Sequence, residues 1–228
     1  PASYLRDDGD NCLCEGEPCA CGDVPWDAIH DEFLKANETG VATPSVIHHL
    51  EARYRANIRF VDEALASLLA MLRERGLYQD ALIVVTSDHG EDFIEHGWIN
   101  HGTTLYDPAL LVPLIIIAPD QVPAGTRLRC QRSSTDLMPT VLELAGLEIP
   151  TGLDGRSMAS ELKRGACEGD HPAFSELLNA TYDFQEDRPI VSLRAEGWKL
   201  IRHIKSDELE AYDLRKDHDG QVSIPDDV

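Results

Sequence analysis

A carboxylate, an imidazole and a glycine stand together in Thr86-Ser87-Asp88-His89-Gly90-Glu91, and a second imidazole opens the run His101-Gly102-Thr103-Thr104-Leu105-Tyr106-Asp107. Asp offers hard oxygen donors and His a nitrogen donor, the side-chain types from which divalent-cation sites are built. The apolar run Ala81-Leu82-Ile83-Val84-Val85 precedes them and reads as a buried strand. Residues just past the carboxyl end of such a strand face the crevice where ligands bind in open α/β sheets. Asp88 and His89 are therefore candidate metal ligands. A nitrogen ligand favours manganese or zinc without excluding calcium.

The elements that must position these residues can be read from periodicity. Thr43-Pro44 reads as a helix start, Ile58, Val61, Leu65, Leu68, Leu69 and Leu72 keep helical spacing, and Gly76 marks the stop. That apolar face is expected to cover the sheet. A strand over 81–86, a site-bearing loop to about 109 and a strand near 112–117 come next, and Thr135 is placed as the cap of a helix through Ala145. After residue 166 the character changes. Short β-like runs at Ile190 to Arg194, Lys199 to His203 and Ala211 to Leu214 predict a small antiparallel sheet. The chain reads as three parts: an irregular Cys-containing surface segment over 1–43, an α/β core with the metal site over 44–166, and a small α+β subdomain over 167–228.

These motifs, in this order, resemble the sulfatase branch of the alkaline-phosphatase superfamily. Tyr54-Arg55-Ala56-Asn57-Ile58 through Asp62, then Leu72-Arg73-Glu74-Arg75-Gly76-Leu77, is similar to the helix before its metal-binding strand. Val112-Pro113-Leu114-Ile115-Ile116, Thr135-Asp136-Leu137-Met138-Pro139-Thr140 and Leu153-Asp154-Gly155-Arg156-Ser157 resemble the family's segments after that strand, and Gly197-Trp198-Lys199-Leu200-Ile201 and Glu210-Ala211-Tyr212-Asp213-Leu214 its C-terminal strands. Several motifs agreeing in order are far more specific than one.

The resemblance implies part of a three-layer α/β/α sheet domain with a small antiparallel-sheet subdomain after it. It implies a divalent metal, calcium by the family's habit, held by Asp88 and His89. It makes His101 the catalytic histidine facing the ester, where it would steady the anion or help the leaving oxygen depart. Glu91 would orient His89 from behind, as metal-bound histidines require. His96 is either another such support or an exposed residue, with exposure favoured. His48 and His49 are expected on a solvated helix face, and Tyr106 and Asp107 are read as structural, closing the loop onto the strand after Pro113.

The departure from the family pattern is at the nucleophile. Sulfatases attack with a formylglycine made from Cys or Ser in a Cys/Ser-x-Pro/Ala-x-Arg motif, and none of the six cysteines has that context; Cys130-Gln131-Arg132-Ser133-Ser134 puts Arg in the wrong place. The family's first Asp pair is also missing. The expectation is a C-terminal half, inactive alone, whose formylglycine and any targeting signal lie in a missing N-terminal half, so that cytoplasmic and secreted locations both stay open. The implied activity is hydrolysis of sulfate monoesters, with a small-molecule or carbohydrate ester as partner. Phosphate or phosphonate ester hydrolysis, or phosphoryl-headgroup transfer, is the alternative on the same scaffold, and a non-catalytic binding or structural module is a third reading.

Composition removes other classes. The 41 acidic against 20 basic residues give a formal net charge of −21, a field that repels a phosphate backbone, so no nucleic-acid partner is expected. No apolar run approaches the length of a membrane span. Cys12, Cys14, Cys19 and Cys21 form two C-x-C pairs in a polar segment, a spacing open to zinc, an iron–sulfur centre or disulfides, with a surface loop without a metal role the favoured reading, while Cys130 and Cys167 show no evident partner.

Overall fold

The computed structural model describes residues 31, 34–36, 39–178, 189–217, 220 and 223. The four-cysteine cluster, and with it most of the segment 1–43, lies outside the described residues. By internal contacts the chain divides into two compact units, one of Pro1–Glu74 with Glu91–His101 and the other of Arg75–Gly90 with Gly102–Val228.

In the first unit, helix α1 spans Pro44–Glu74. Its proline sits at the first helical position, where a missing N–H costs nothing. Gly76, just past the end, takes a φ of 69°, a left-handed conformation that glycine alone adopts freely. The burial of α1 differs from expectation. Ile58, Val61 and Leu68 are 53%, 60% and 46% exposed, whereas Val46 and His49, three residues apart on one face, are buried. His49 therefore does not lie on a solvated face, and its Nε2 is buried without a hydrogen-bond partner. The remaining part of this unit is a hairpin of β2 (Asp92–Phe93) and β3 (Ile99–Asn100), which pairs Asp92 with Asn100 and Phe93 with Ile99. Phe93 rests edge-on against Tyr54 of α1 at 5.3 Å between ring centroids.

In the second unit, β1 (Ile83–Thr86) runs antiparallel to β4 (Leu114–Ile117), with Val84 opposite Ile116. The apolar run was expected to be buried on both faces, yet every residue of β1 keeps some exposure and Ile115 is exposed. Among the described residues this sheet has two strands, too few to enclose their own side chains. Helix α2 (Asp107–Leu110) lies between them in sequence. A short 3₁₀ turn, Ser134–Asp136, then leads into α3 (Leu137–Leu144). Ser133, in place of the expected Thr135, caps that turn, in a reciprocal box with Asp136.

Asp136 also joins two motifs twenty residues apart. Its buried carboxylate accepts N–H groups from Ser133 and Arg156 and the ring N–H of His171, while Thr140 receives the amide of Met158 before α4 (Ala159–Arg164). Gly155 is required by close approach, since a Cβ there would lie 2.0 Å from the Thr135 carbonyl oxygen. Cys130 and Cys167, for which the sequence offered no pairing, form a disulfide with their Cα atoms 6.0 Å apart. A buried Arg132–Glu161 ion pair reinforces the same region.

The chain closes in a four-stranded antiparallel sheet, β5 (Ala173–Leu177), β6 (Ile190–Ala195), β7 (Trp198–His203) and β8 (Leu209–Asp213), in sequential order. Its inner face carries Ile190, Ile201 and Tyr212, which pack with Leu105 and Leu214 into one core that Tyr106, Leu110 and Leu177 border. The end of the site-bearing loop is thus core material.

The disulfide and the buried histidine each have a measurable consequence. Replacing both Cys130 and Cys167 by serine frees a loop of 37 residues, and denaturant unfolding without reductant should show a loss of about 4 kcal/mol by loop-entropy arithmetic. Burial first, and the Arg53 charge second, hold the His49 pKa below its ordinary 6.5. His49 then adds no instability while neutral in both states, above about pH 6.5, and costs stability as pH falls and the unfolded chain takes the proton first. Unfolding measured between about pH 7.5 and 5.5 should therefore lose stability more steeply in the parent than in His49→Leu.

Candidate functional site

The end of β1 delivers Asp88 to solvent, its side chain 86% exposed. Its Oδ1 accepts the His89 amide at 3.0 Å, and the Ser87 hydroxyl donates to the His89 carbonyl at 2.8 Å, so a tight local turn fixes the backbone. Hydrogen bonding from the backbone N–H of Asp88, then the His89 charge, hold the Asp88 carboxyl below its usual range. Asp88 is an anion well before neutral pH.

His89 donates its Nδ1–H to the Gly90 carbonyl at 2.8 Å, which fixes the tautomer and puts the ring's lone pair on Nε2. That Nε2 lies 3.7 Å from Asp88 Oδ2, near enough for one cation to touch both. An anionic oxygen beside a correctly tautomerised nitrogen fits a divalent metal. Among the described residues no group of three or more His, Cys, Asp and Glu converges on one point, so the pair Asp88 and His89 does not by itself make a full coordination shell.

Gly90 anchors this turn. Its N–H donates to the Ala109 carbonyl at 2.8 Å, and a Cβ at this position would lie 1.9 Å from the Pro108 carbonyl oxygen. No residue with a side chain fits there.

His101 belongs to the other compact unit and is placed by its hairpin. Its amide donates to the Asn100 side chain at 2.9 Å, and its Nδ1 lies 3.3 Å from both oxygens of Glu91. Glu91, expected to orient His89, thus puts its carboxylate on His101 and engages that ring through Nδ1. The His96 side chain, read as either a support or exposed with exposure favoured, keeps only 6% of its surface accessible, with its Nδ1 3.9 Å from Asp92 Oδ1. Nothing in the residue types announces this burial. The turn Ile94 to Trp98 closes by an amide-carbonyl bond of 2.7 Å and folds His96 inward over Asp92, which has no exposed surface. Ile94 and Asn100 hold positive φ values of 79° and 91° in this hairpin, strain that a β-branched residue accepts only where its surroundings dictate it.

Asp107, Lys199 and Arg194 were missed as a set, although Asp107 was read as structural. Instead of closing onto the strand after Pro113, Asp107 receives the Lys199 ammonium at 2.5 Å and Arg194 Nε at 3.2 Å, both from the C-terminal sheet. Beside it, Tyr106 donates to Glu210 at 2.9 Å, and Glu210 also accepts from His203 at 2.7 Å and from Tyr212. Burial opposes the ionised form of Glu210, but these three donors prevail and hold its carboxyl below the ordinary value.

A family model described as Sulfatase matches residues 22–147, more than half of the chain. This chain belongs to the sulfatase family. A second model, described as N-sulphoglucosamine sulphohydrolase, C-terminal, matches residues 94–227. N-acetylglucosamine-6-O-sulfatase from Bacteroides thetaiotaomicron is 31% identical over 205 residues, which cover 84% of this chain and 36% of that protein. Among solved structures, phosphonate monoester hydrolase from Silicibacter pomeroyi is 32% identical with a TM-score of 0.67, over 77% of this chain and 37% of its own. A protein solved in complex with its substrate D-glucosamine-2-N,6-O-disulfate is 25% identical with a TM-score of 0.66, over 87% and 41%. The chain thus spans well under half the length of these relatives. Its fold is the corresponding portion of the alkaline-phosphatase-like fold, with the antiparallel four-stranded sheet at its C-terminal end.

Because the Asp88 side chain buries so little, Asp88→Ala should leave the unfolding transition of the metal-free chain essentially where it is in the parent. In the same melts, the stabilisation that millimolar MnCl₂ gives the parent should disappear; an unchanged manganese response would remove Asp88 from the ligand set.

Proposed function

We propose that this chain is the metal-binding C-terminal portion of a hydrolase of carbohydrate sulfate monoesters. The observation that carries this reading is the paired donors Asp88 and His89, with the His89 tautomer set by Gly90, in a member of the sulfatase family. In this reading Asp88 and His89 would hold part of the shell of a divalent cation, calcium first and manganese or zinc next, which would supply Lewis-acid polarisation at the ester's oxygens. A formylglycine nucleophile comes from sequence outside residues 1–228, and the chain alone is inactive. His101, backed by Glu91, gives a proton to the leaving alcohol oxygen as the sulfur–oxygen bond breaks.

The relatives support a sugar ester as substrate, since one is named for N-acetylglucosamine 6-O-sulfate chemistry and another was solved with a disulfated glucosamine. The 32% identity to a phosphonate monoester hydrolase favours a second reading, phosphonate or phosphate ester hydrolysis at the same donors. Both readings need a local cation, because the charge of −21 repels any anionic ester.

The test is steady-state hydrolysis by the protein extended with its natural preceding residues, with glucosamine 6-sulfate and a phenyl phosphonate ester as rival substrates. A preference for the sulfate ester, with kcat reduced at least about a hundredfold in His101→Ala, is the expected result. Preference for the phosphonate would move the assignment to the second reading, and retained kcat in His101→Ala would remove the acid role.

A further inference from the structure

Asp107 begins α2, and both of its oxygens are taken, one by Lys199 on β7 and the other by Arg194 on β6. Lys199 is 2% exposed, among the most buried side chains of the protein. An apolar residue would fill that inner-face position at lower electrostatic cost, so the ion pair brings directional definition more than stability. Arg194 is fixed in turn, because its guanidinium reaches the Gln131 side chain and its carbonyl accepts that residue's amide at 2.7 Å. Tyr106 adds a third tie, to Glu210 on β8. Two consecutive residues are thereby fastened to three strands, and Leu105 and Leu110 on either side lie in or against the same core.

The opposite side of that fastened turn carries the ligand segment. Ala109 receives the Gly90 amide, Pro108 excludes any side chain at Gly90, and the Gly90 carbonyl receives the His89 ring N–H. The whole path, from Lys199 through Asp107 and α2 to Gly90 and His89, lies within one compact unit. We propose that the C-terminal sheet is the alignment frame of the metal-ligand segment, with Asp107, Lys199 and Gly90 as positioning residues that set the aim of Asp88 and the tautomer of His89. This rests on the reading of Asp88 and His89 as ligands and goes beyond it, because it gives the C-terminal sheet a role in the site that the ligand motif alone does not contain.

The experiment uses the whole chain, ¹⁵N-labelled, in three forms: the parent, Gly90→Ala, and the double variant Asp107→Asn with Lys199→Met, which removes both buried charges together so that neither is stranded. Long-range ¹H–¹⁵N spectra read the His89 tautomer, and amide exchange reads the Gly90 N–H, neither needing metal. The parent should show His89 protonated at Nδ1 and a protected Gly90 amide. Both variants should show the mixed tautomers of a solvated imidazole and exchange at residue 90 faster by about tenfold or more, with Ser192 and Ile201 in β6 and β7 still protected. Titration with MnCl₂ should show affinity lower by about 10–100-fold in each variant.

An unchanged His89 tautomer and Gly90 exchange in the double variant would overturn the positioning role. Equal loss of protection at Ser192 and Ile201 would overturn it too, by showing general loosening instead of a directed link. A parent chain with no affinity for Mn²⁺ would instead overturn the ligand reading beneath it.

Discussion

The second unit depends on a carboxylate held between two cations inside the protein. Asp107 cannot move without stranding Lys199, which has almost no contact with water, and losing one partner of such a pair costs about 3–5 kcal/mol. That penalty makes the arrangement nearly all-or-none. Strands β6 and β7 must stand in register for Arg194 and Lys199 to reach the same carboxylate, and in this register Arg194 does lie directly opposite Lys199. The turn starting at Asp107 is then fixed against the sheet, and Gly90 finds its carbonyl partner only when that turn is in place. A surface feature, the exposed pair Asp88 and His89, thus inherits its geometry from a charge buried deep in the chain.

The first unit supports its histidine by other means. His101 sits at the end of a two-residue strand, and short strands by themselves hold little. Its orientation comes from the Glu91 carboxylate and the Asn100 side chain, with the hairpin braced by Phe93 against Tyr54. The positive φ at Ile94 and Asn100 turns the chain tightly enough to bury His96 over Asp92. Strain of this kind, about 1–3 kcal/mol per residue, persists where neighbouring contacts determine the backbone. Both halves of the candidate chemistry obey one rule: a polar side chain near the surface is aimed by a neighbour that has no freedom of its own.

Much of the architecture was legible because it depends on local pattern. Thr43-Pro44 and Gly76 bracket α1 as read, and the apolar runs at 81–86, 190–194 and 199–203 became β1, β6 and β7. Asp88 and His89 stood out as candidate ligands because they come directly after a strand. The features that stayed hidden join residues far apart in sequence. Asp107 meets Lys199 across 92 positions, Cys130 meets Cys167 across 37, and no spacing rule links either pair. Burial was misjudged where residue type pointed outward: His49 and His96 are enclosed, and Glu91 turns to His101. Strand β5 went unread because Ala173-Phe174-Ser175-Glu176-Leu177 alternates over too few residues, with apolar Phe174 exposed, for periodicity to declare it.

Whether Asp88 and His89 share a cation decides the function assigned to this chain. Diffraction from crystals of the chain soaked in MnCl₂, with anomalous differences collected at the manganese edge, tests that most directly. The shared-cation reading predicts a peak within about 2.0–2.4 Å of Asp88 Oδ2 and His89 Nε2 together, with the His89 ring still bonded to the Gly90 carbonyl. A map with no peak at that pair, or with manganese bound elsewhere and the His89 ring turned away from Gly90, would contradict it.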